Sequence, residues 1–185
     1  MLADLLNNRK KLVLQKWFDA VLATYPADAR RFLGNQTNRF RNPVGASIYE
    51  GIDGLYQRLL DGTDLDSPEF TEFLDRIVRI RAVQEFSPSQ ALGFLFPLKT
   101  VIREMVKQET PANGLGEELL ALDRRIDRLV LLSFDKYMEC REKLFEIRIR
   151  EIKDSTCRTW ERICRKYGDP ATWSDADQGQ PDSAR

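Results

Sequence analysis

The chain of 185 residues contains no histidine. No haem or zinc site with a histidine ligand can form, and no Ser-His or Cys-His nucleophile pair. Cysteine is scarce. Cys140, Cys157 and Cys164 are an odd set within one stretch of chain. On a helix Cys157 and Cys164 lie about 10 Å apart along the axis, too far for a disulfide between them, so reduced thiols are expected. No Cys-x-x-Cys and no glycine-rich phosphate loop occurs. Charge of one sign is not in excess: Lys+Arg and Asp+Glu are 29 each, which gives no footprint for nucleic acid. No apolar run reaches the roughly 18–20 residues of a membrane span. Met1 to Tyr25 lacks the apolar core and cleavage site of a signal peptide. A soluble cytoplasmic protein without cofactor is expected.

Glycine and proline are absent from Glu117 to Tyr167. As one helix these residues would span about 75 Å. A domain built from the preceding chain would be about 35–40 Å across. Such a helix must either break or overhang the core. Its apolar stripe changes face. Leu119, Leu122, Ile126, Leu129, Val130, Tyr137, Cys140, Leu144 and Ile147 share one side, with Ser133 among them. Phe145, Ile149, Ile152, Thr156, Trp160, Ile163 and Tyr167 share another, rotated by roughly 140°. One buried face implies one partner; two faces in succession imply two. The first half is expected to pack in its own domain, and the second to meet a dimer mate or another protein. A break near Lys143–Arg148, with the last segment folded back, is the alternative. Acid-before-base pairs such as Glu146/Arg150 and Asp154/Arg158 suit an exposed helix. Gly168 and Pro170 then stop it.

Asn42-Pro43, Ser67-Pro68 and Ser87-Pro88 each set a capping residue before a proline at the first helical position. Ser87 and Gln90 add a capping box. Helices are predicted at 2–24, 27–33, 43–60, 68–85, 88–108 and 117–167, with no convincing strand alternation. Pro97 lies inside an apolar run and should kink its helix near Gly93–Pro97. Gly51 and Gly54 allow close approach of another helix, or of a ligand. Together with Gly93, Phe94 and Pro97 they form the candidate ligand cavity. The polar tail 168–185, which contains Trp173, is expected to be disordered.

The sequence carries no spacing that singles out catalytic carboxylates. Ser133-Phe134-Asp135-Lys136 matches a Ser-x-x-Lys pair without its companion elements. A non-enzymatic protein is expected.

The run Phe40-Arg41-Asn42-Pro43-Val44-Gly45, the longer run from Val78 to Ala91 (VRIRAVQEFSPSQA) and the Pro97-Leu98-Lys99 segment resemble the RsbRD-type N-terminal domain of RsbT co-antagonist proteins. Trp17 and Ala23-Thr24-Tyr25-Pro26 fit as well. The resemblance covers about 2–144. It implies an all-α, globin-like domain without haem, an input module of bacterial signalling that dimerises. In such proteins a long C-terminal helix leads toward an output domain, commonly of the STAS type. Residues 144–167 occupy the place of that connector, and the chain ends at Arg185 without room for an output domain. The expected organisation is a sensor-type domain at 1–148, a helical extension at 149–167 and a tail. The expected function is a stand-alone sensor or regulatory domain acting through dimerisation and an unidentified partner protein. Its interface would be Phe145, Ile149, Ile152, Trp160, Ile163 and Tyr167. A structural adaptor that docks on a larger redox or membrane-associated complex, with no ligand, is the alternative.

Overall fold

The structure is a computed structural model that describes residues 2–34, 42–84, 86–109 and 114–168. The expected tail with Trp173, and the Phe40-Arg41 part of the first motif, lie outside the described residues. The described residues are helical, without strands: α1 (Leu2–Asn8), α2 (Lys10–Ala23), α3 (Ala27–Leu33), α4 (Pro43–Leu60), α5 (Pro68–Val83), α6 (Pro88–Leu92), a 3₁₀ turn at Gly93–Leu95, α7 (Phe96–Glu109) and α8 (Gly116–Tyr167). An all-α fold with a long C-terminal helix is therefore established.

The three proline-marked starts form as their chemistry dictates. Asn42 Oδ1 accepts from Gly45 N–H at 2.9 Å and Ser67 Oγ from Phe70 N–H at 3.3 Å. Ser87 and Gln90 close a reciprocal box, with Ser87 N–H donating to Gln90 Oε1 at 3.1 Å and Gln90 N–H to Ser87 Oγ at 3.4 Å. Each cap satisfies amide donors that the first turn leaves without partners. Two predicted helices are subdivided. The expected helix 2–24 breaks at Arg9, after Asn7 and Asn8, whose side chains compete with the helical backbone. The expected helix 88–108 passes through the 3₁₀ turn just before Pro97. There the missing N–H and the ring's clash with the carbonyl of Gly93 forbid a straight path.

By its internal contacts the chain divides into two units between Arg141 and Glu142, with α8 contributing to both. The first unit holds the core. Trp17 of α2 is fully buried, stacks on Phe94 at 6.4 Å and donates from Nε1 to the Phe94 carbonyl at 2.7 Å. Tyr56 Oη donates to the Leu6 carbonyl at 3.0 Å. The first part of α8 buries Leu122, Ile126, Leu129, Ser133 and Tyr137, the stripe read from its periodicity. Tyr137 Oη donates to the Phe86 carbonyl at 2.5 Å. In the second unit, residues 142–167 are helical and none is buried. Gly168, at φ 80°, ends α8 and donates its N–H to the Cys164 carbonyl at 2.9 Å. An L-residue with a Cβ rarely adopts that conformation.

Candidate protein interface on the last helix

In the second unit the six expected interface residues all stand in solvent. Phe145 is 50% exposed, Ile149 53%, Ile152 59%, Trp160 54%, Ile163 37% and Tyr167 59%. With Thr156, also exposed, they recur in steps of 4, 3, 4, 4, 3 and 4. At about 100° per residue they occupy a strip about 80° wide. A helix facing only water has no use for so many large apolar groups on one side. Charges flank the strip. Arg148, Arg162 and Lys166 project on one flank. Glu142 and Glu146 project on the other, where Lys153 is the exception. The acid–base pairs expected along the helix are not all realised as ion pairs: Arg158 Nε donates to the backbone carbonyl of Asp154 at 3.1 Å.

The first unit carries its own exposed apolar residues on α8: Leu131 at 68%, Phe134 at 45% and Met138 at 38%. They lie outside the expected interface. On the helical wheel they share the phase of Phe145, Ile149 and Ile152, so the second stripe begins earlier than the expected change of face. The signal was present as a 3-then-4 spacing. The stronger apolar face of Leu122, Ile126 and Leu129 masked it.

The five residues of the expected cavity lie in two places. Gly51 and Gly54 lie on α4 where α5 packs closely. A Cβ on Gly51 would stand 2.6 Å from Cγ1 of Ile77, and one on Gly54 would collide with the Phe73 ring. The space at these glycines is therefore taken by side chains of α5. Gly93, Phe94 and Pro97 lie at the junction of α6 and α7, where Phe94 is fully buried and a Cβ on Gly93 would meet nothing within 4 Å.

Around Phe94 the tertiary structure assembles a feature that no motif announced. Arg81 of α5 is fully buried. Its Nε donates to the Ala91 carbonyl at 2.9 Å, and its Nη2 to the Gln90 carbonyl at 2.8 Å and to Thr24 Oγ1 at 2.9 Å. The guanidinium lies over three rings, 5.2 Å from Tyr25, 4.4 Å from Phe86 and 5.5 Å from Phe94. Carbonyls at the end of α6 and aromatic faces thus stand in for a counter-ion. Nη1 is buried without an acceptor. Burial holds the Arg81 pKa below its ordinary value, partly offset by Tyr25. Burial raises that of Tyr25, partly offset by Arg81. Arg81 thereby joins the α2–α3 corner, α5, α6 and the 3₁₀ turn.

Among the described residues no group of three His, Cys, Asp or Glu side chains is placed to hold a metal ion, and no helix is long and apolar enough to cross a membrane. Comparison with known families matches residues 12–152 to the RsbT co-antagonist protein rsbRD N-terminal domain. An uncharacterized protein of Archaeoglobus fulgidus is 24% identical over 143 residues, which are 77% of this chain and 83% of the relative. No solved structure matches.

Proposed function

Since the chain belongs to the family of RsbT co-antagonist rsbRD N-terminal domains, a family of signalling domains, we propose that it is a non-enzymatic sensor or regulatory module whose working form is a homodimer joined along 145–167. The family, the all-helical first unit and the lack of histidine support a haem-less, globin-like input domain acting in the cytoplasm. The observation that carries the dimer is the strip of exposed Phe145, Ile149, Ile152, Trp160, Ile163 and Tyr167.

The strip's spacing and flanks describe the pairing. Six steps over 145–167 average about 3.67 residues, the 11-residue repeat of a straight or slightly right-handed helix pair rather than a left-handed heptad coil. In a parallel pair the opposite flanks of two copies meet; in an antiparallel pair like flanks meet. Parallel pairing sets Arg148 near the partner copy's acidic flank. Antiparallel pairing centred on Thr156 sets Arg148 beside Arg162 and Lys166. The pair is therefore parallel and in register, and a signal changes the state of the first unit and passes along α8 to a partner protein.

Light scattering tests the dimer on the full chain and on a chain ending at Arg148, the expected domain boundary. A dimeric full chain and a monomeric truncation are expected. A monomeric full chain, or a truncation that remains dimeric, overturns the reading.

A further inference from the structure

Where α1, the turn after α4 and the start of α8 converge, the first unit has two neighbouring hollows that share Arg125. One, of about 240 Å³, is walled mainly by Leu2, Ala3, Leu59, Leu60, Ala121 and Leu122, with Glu118 also in the wall, where its carboxylate accepts from Leu2 N–H at 2.7 Å. The other, of about 270 Å³, is bordered by Arg124, Arg125 and Arg128, with Asp64 and Leu65. One hollow is thus aliphatic and the next is cationic, and the guanidinium between them belongs to both.

The arginines are not equivalent. Arg128 is already paired with Asp66. Arg125 Nη2 donates to the Thr63 carbonyl at 2.6 Å, which anchors α8 to the turn. Its Nε–H is shielded from water and reaches no acceptor. Arg124 is exposed. Among the described residues no carboxylate pairs with Arg124 or Arg125. Gly62, at φ 73°, turns the chain beside the aliphatic hollow. An L-residue with a Cβ is strained there.

We propose that this is a binding site for a small organic anion with a short aliphatic part. Its carboxylate pairs with Arg125 and Arg124, and its chain fills the hollow between Leu59, Leu60, Ala121 and Leu122. The head neutralises two arginines that no carboxylate among the described residues pairs with. The tail covers apolar surface that otherwise faces water, and each methylene so covered strengthens binding about fourfold. The two parts demand different chemistry, so inorganic anions and neutral alkyl compounds each satisfy only half of the site. The site lies within the first unit and does not depend on dimerisation through 145–167.

Isothermal titration of the full chain with hexanoate tests the site, with acetate, sulfate and 1-hexanol as comparison probes. Hexanoate is expected to bind at least about tenfold more tightly than any of the three. Arg125→Gln is expected to weaken hexanoate about tenfold or more. Ala121→Phe, at an exposed position on the rim, is expected to abolish hexanoate binding by filling the aliphatic hollow. Circular dichroism melts verify that both variants fold. Absence of hexanoate binding to the folded chain overturns the proposal. So does equal binding of hexanoate and 1-hexanol, or of hexanoate to the wild-type and Ala121→Phe chains. Loss of dimer in the light-scattering experiment leaves these outcomes unaffected, so the two readings fail separately.

Discussion

Replacing Ile152 and Trp160 together by serine separates association from folding. Both side chains stand in solvent, at 59% and 54% exposure. Substitutions at such positions change stability by about 0.5 kcal/mol or less, so the variant folds as the wild type does. Its self-association does not survive. Burying a large apolar side chain fully contributes roughly 1.5–3 kcal/mol. Covering the half that is exposed here contributes about 1 kcal/mol per residue in each copy. The six expected interface residues in two copies then supply about 12 kcal/mol, against an association cost of about 4–15 kcal/mol. Such a dimer is marginal enough for a double substitution to decide. Two residues in two copies remove about 4 kcal/mol, a dissociation constant about a thousandfold weaker. Sedimentation equilibrium over a concentration series reads that change, and a thermal melt of the same samples reads folding. A variant that melts normally and dimerises with wild-type affinity refutes the reasoning. A variant that fails to fold shows instead that the strip is covered within its own chain.

Ile149→Cys in a background with the three native cysteines replaced by serine should cross-link to itself under mild oxidation; a cross-link formed only when Ile149→Cys and Ile163→Cys chains are mixed would show antiparallel pairing. Gly51→Ala should lower the urea midpoint, because overpacking against Ile77 costs about 1–3 kcal/mol and the gain in helix propensity returns only about 1 kcal/mol. Gly93→Ala, where a Cβ meets nothing within 4 Å, should show no such loss. Stability should fall as pH rises above about 10, because burial raises the pKa of both Tyr25 and Tyr56. The folded chain then keeps protons that the unfolded chain releases, so the stabilisation is complete below the unfolded value and is lost on passing through the folded one; urea titrations from pH 8 to 11 measure the slope, and Tyr56→Phe should flatten it. Arg81→Ala should cost about 3 kcal/mol, because the buried Ala91 carbonyl and two part-buried acceptors lose a charged donor; an unchanged midpoint would show that the aromatic box holds without its cation.

Residues close in sequence made much of the fold legible. Asn42-Pro43, Ser67-Pro68 and Ser87-Pro88 mark helix starts because a cap and its amide lie within three residues of each other. Pro97 marks a bend because its ring meets a carbonyl four residues back. The long α8 follows from 51 residues without glycine or proline. The second stripe of α8 was legible from Ile149 onward, where a single apolar face stands against charged ones.

Legibility ended where distant residues decide. Between Leu131 and Met138, α8 has apolar residues on two sides, and periodicity states that a face exists without stating which face is covered. Gly51 and Gly54 could admit a helix or a ligand, and the arrival of Ile77 and Phe73 from α5 filled the space. In sequence Arg81 resembles Arg79, which is exposed and paired with Asp75. Yet Arg81 is buried, because α2, α6 and the 3₁₀ turn bring carbonyls and rings around it. Arg125 stands between an aliphatic and a cationic hollow only because α1 and the turn after α4 close over the start of α8. The sequence by itself determined the helices, their caps and the existence of two apolar faces, since these rest on interactions a few residues long. The tertiary structure alone decided which face is buried, which cation is enclosed and where open space remains, since those depend on burial by segments remote along the chain.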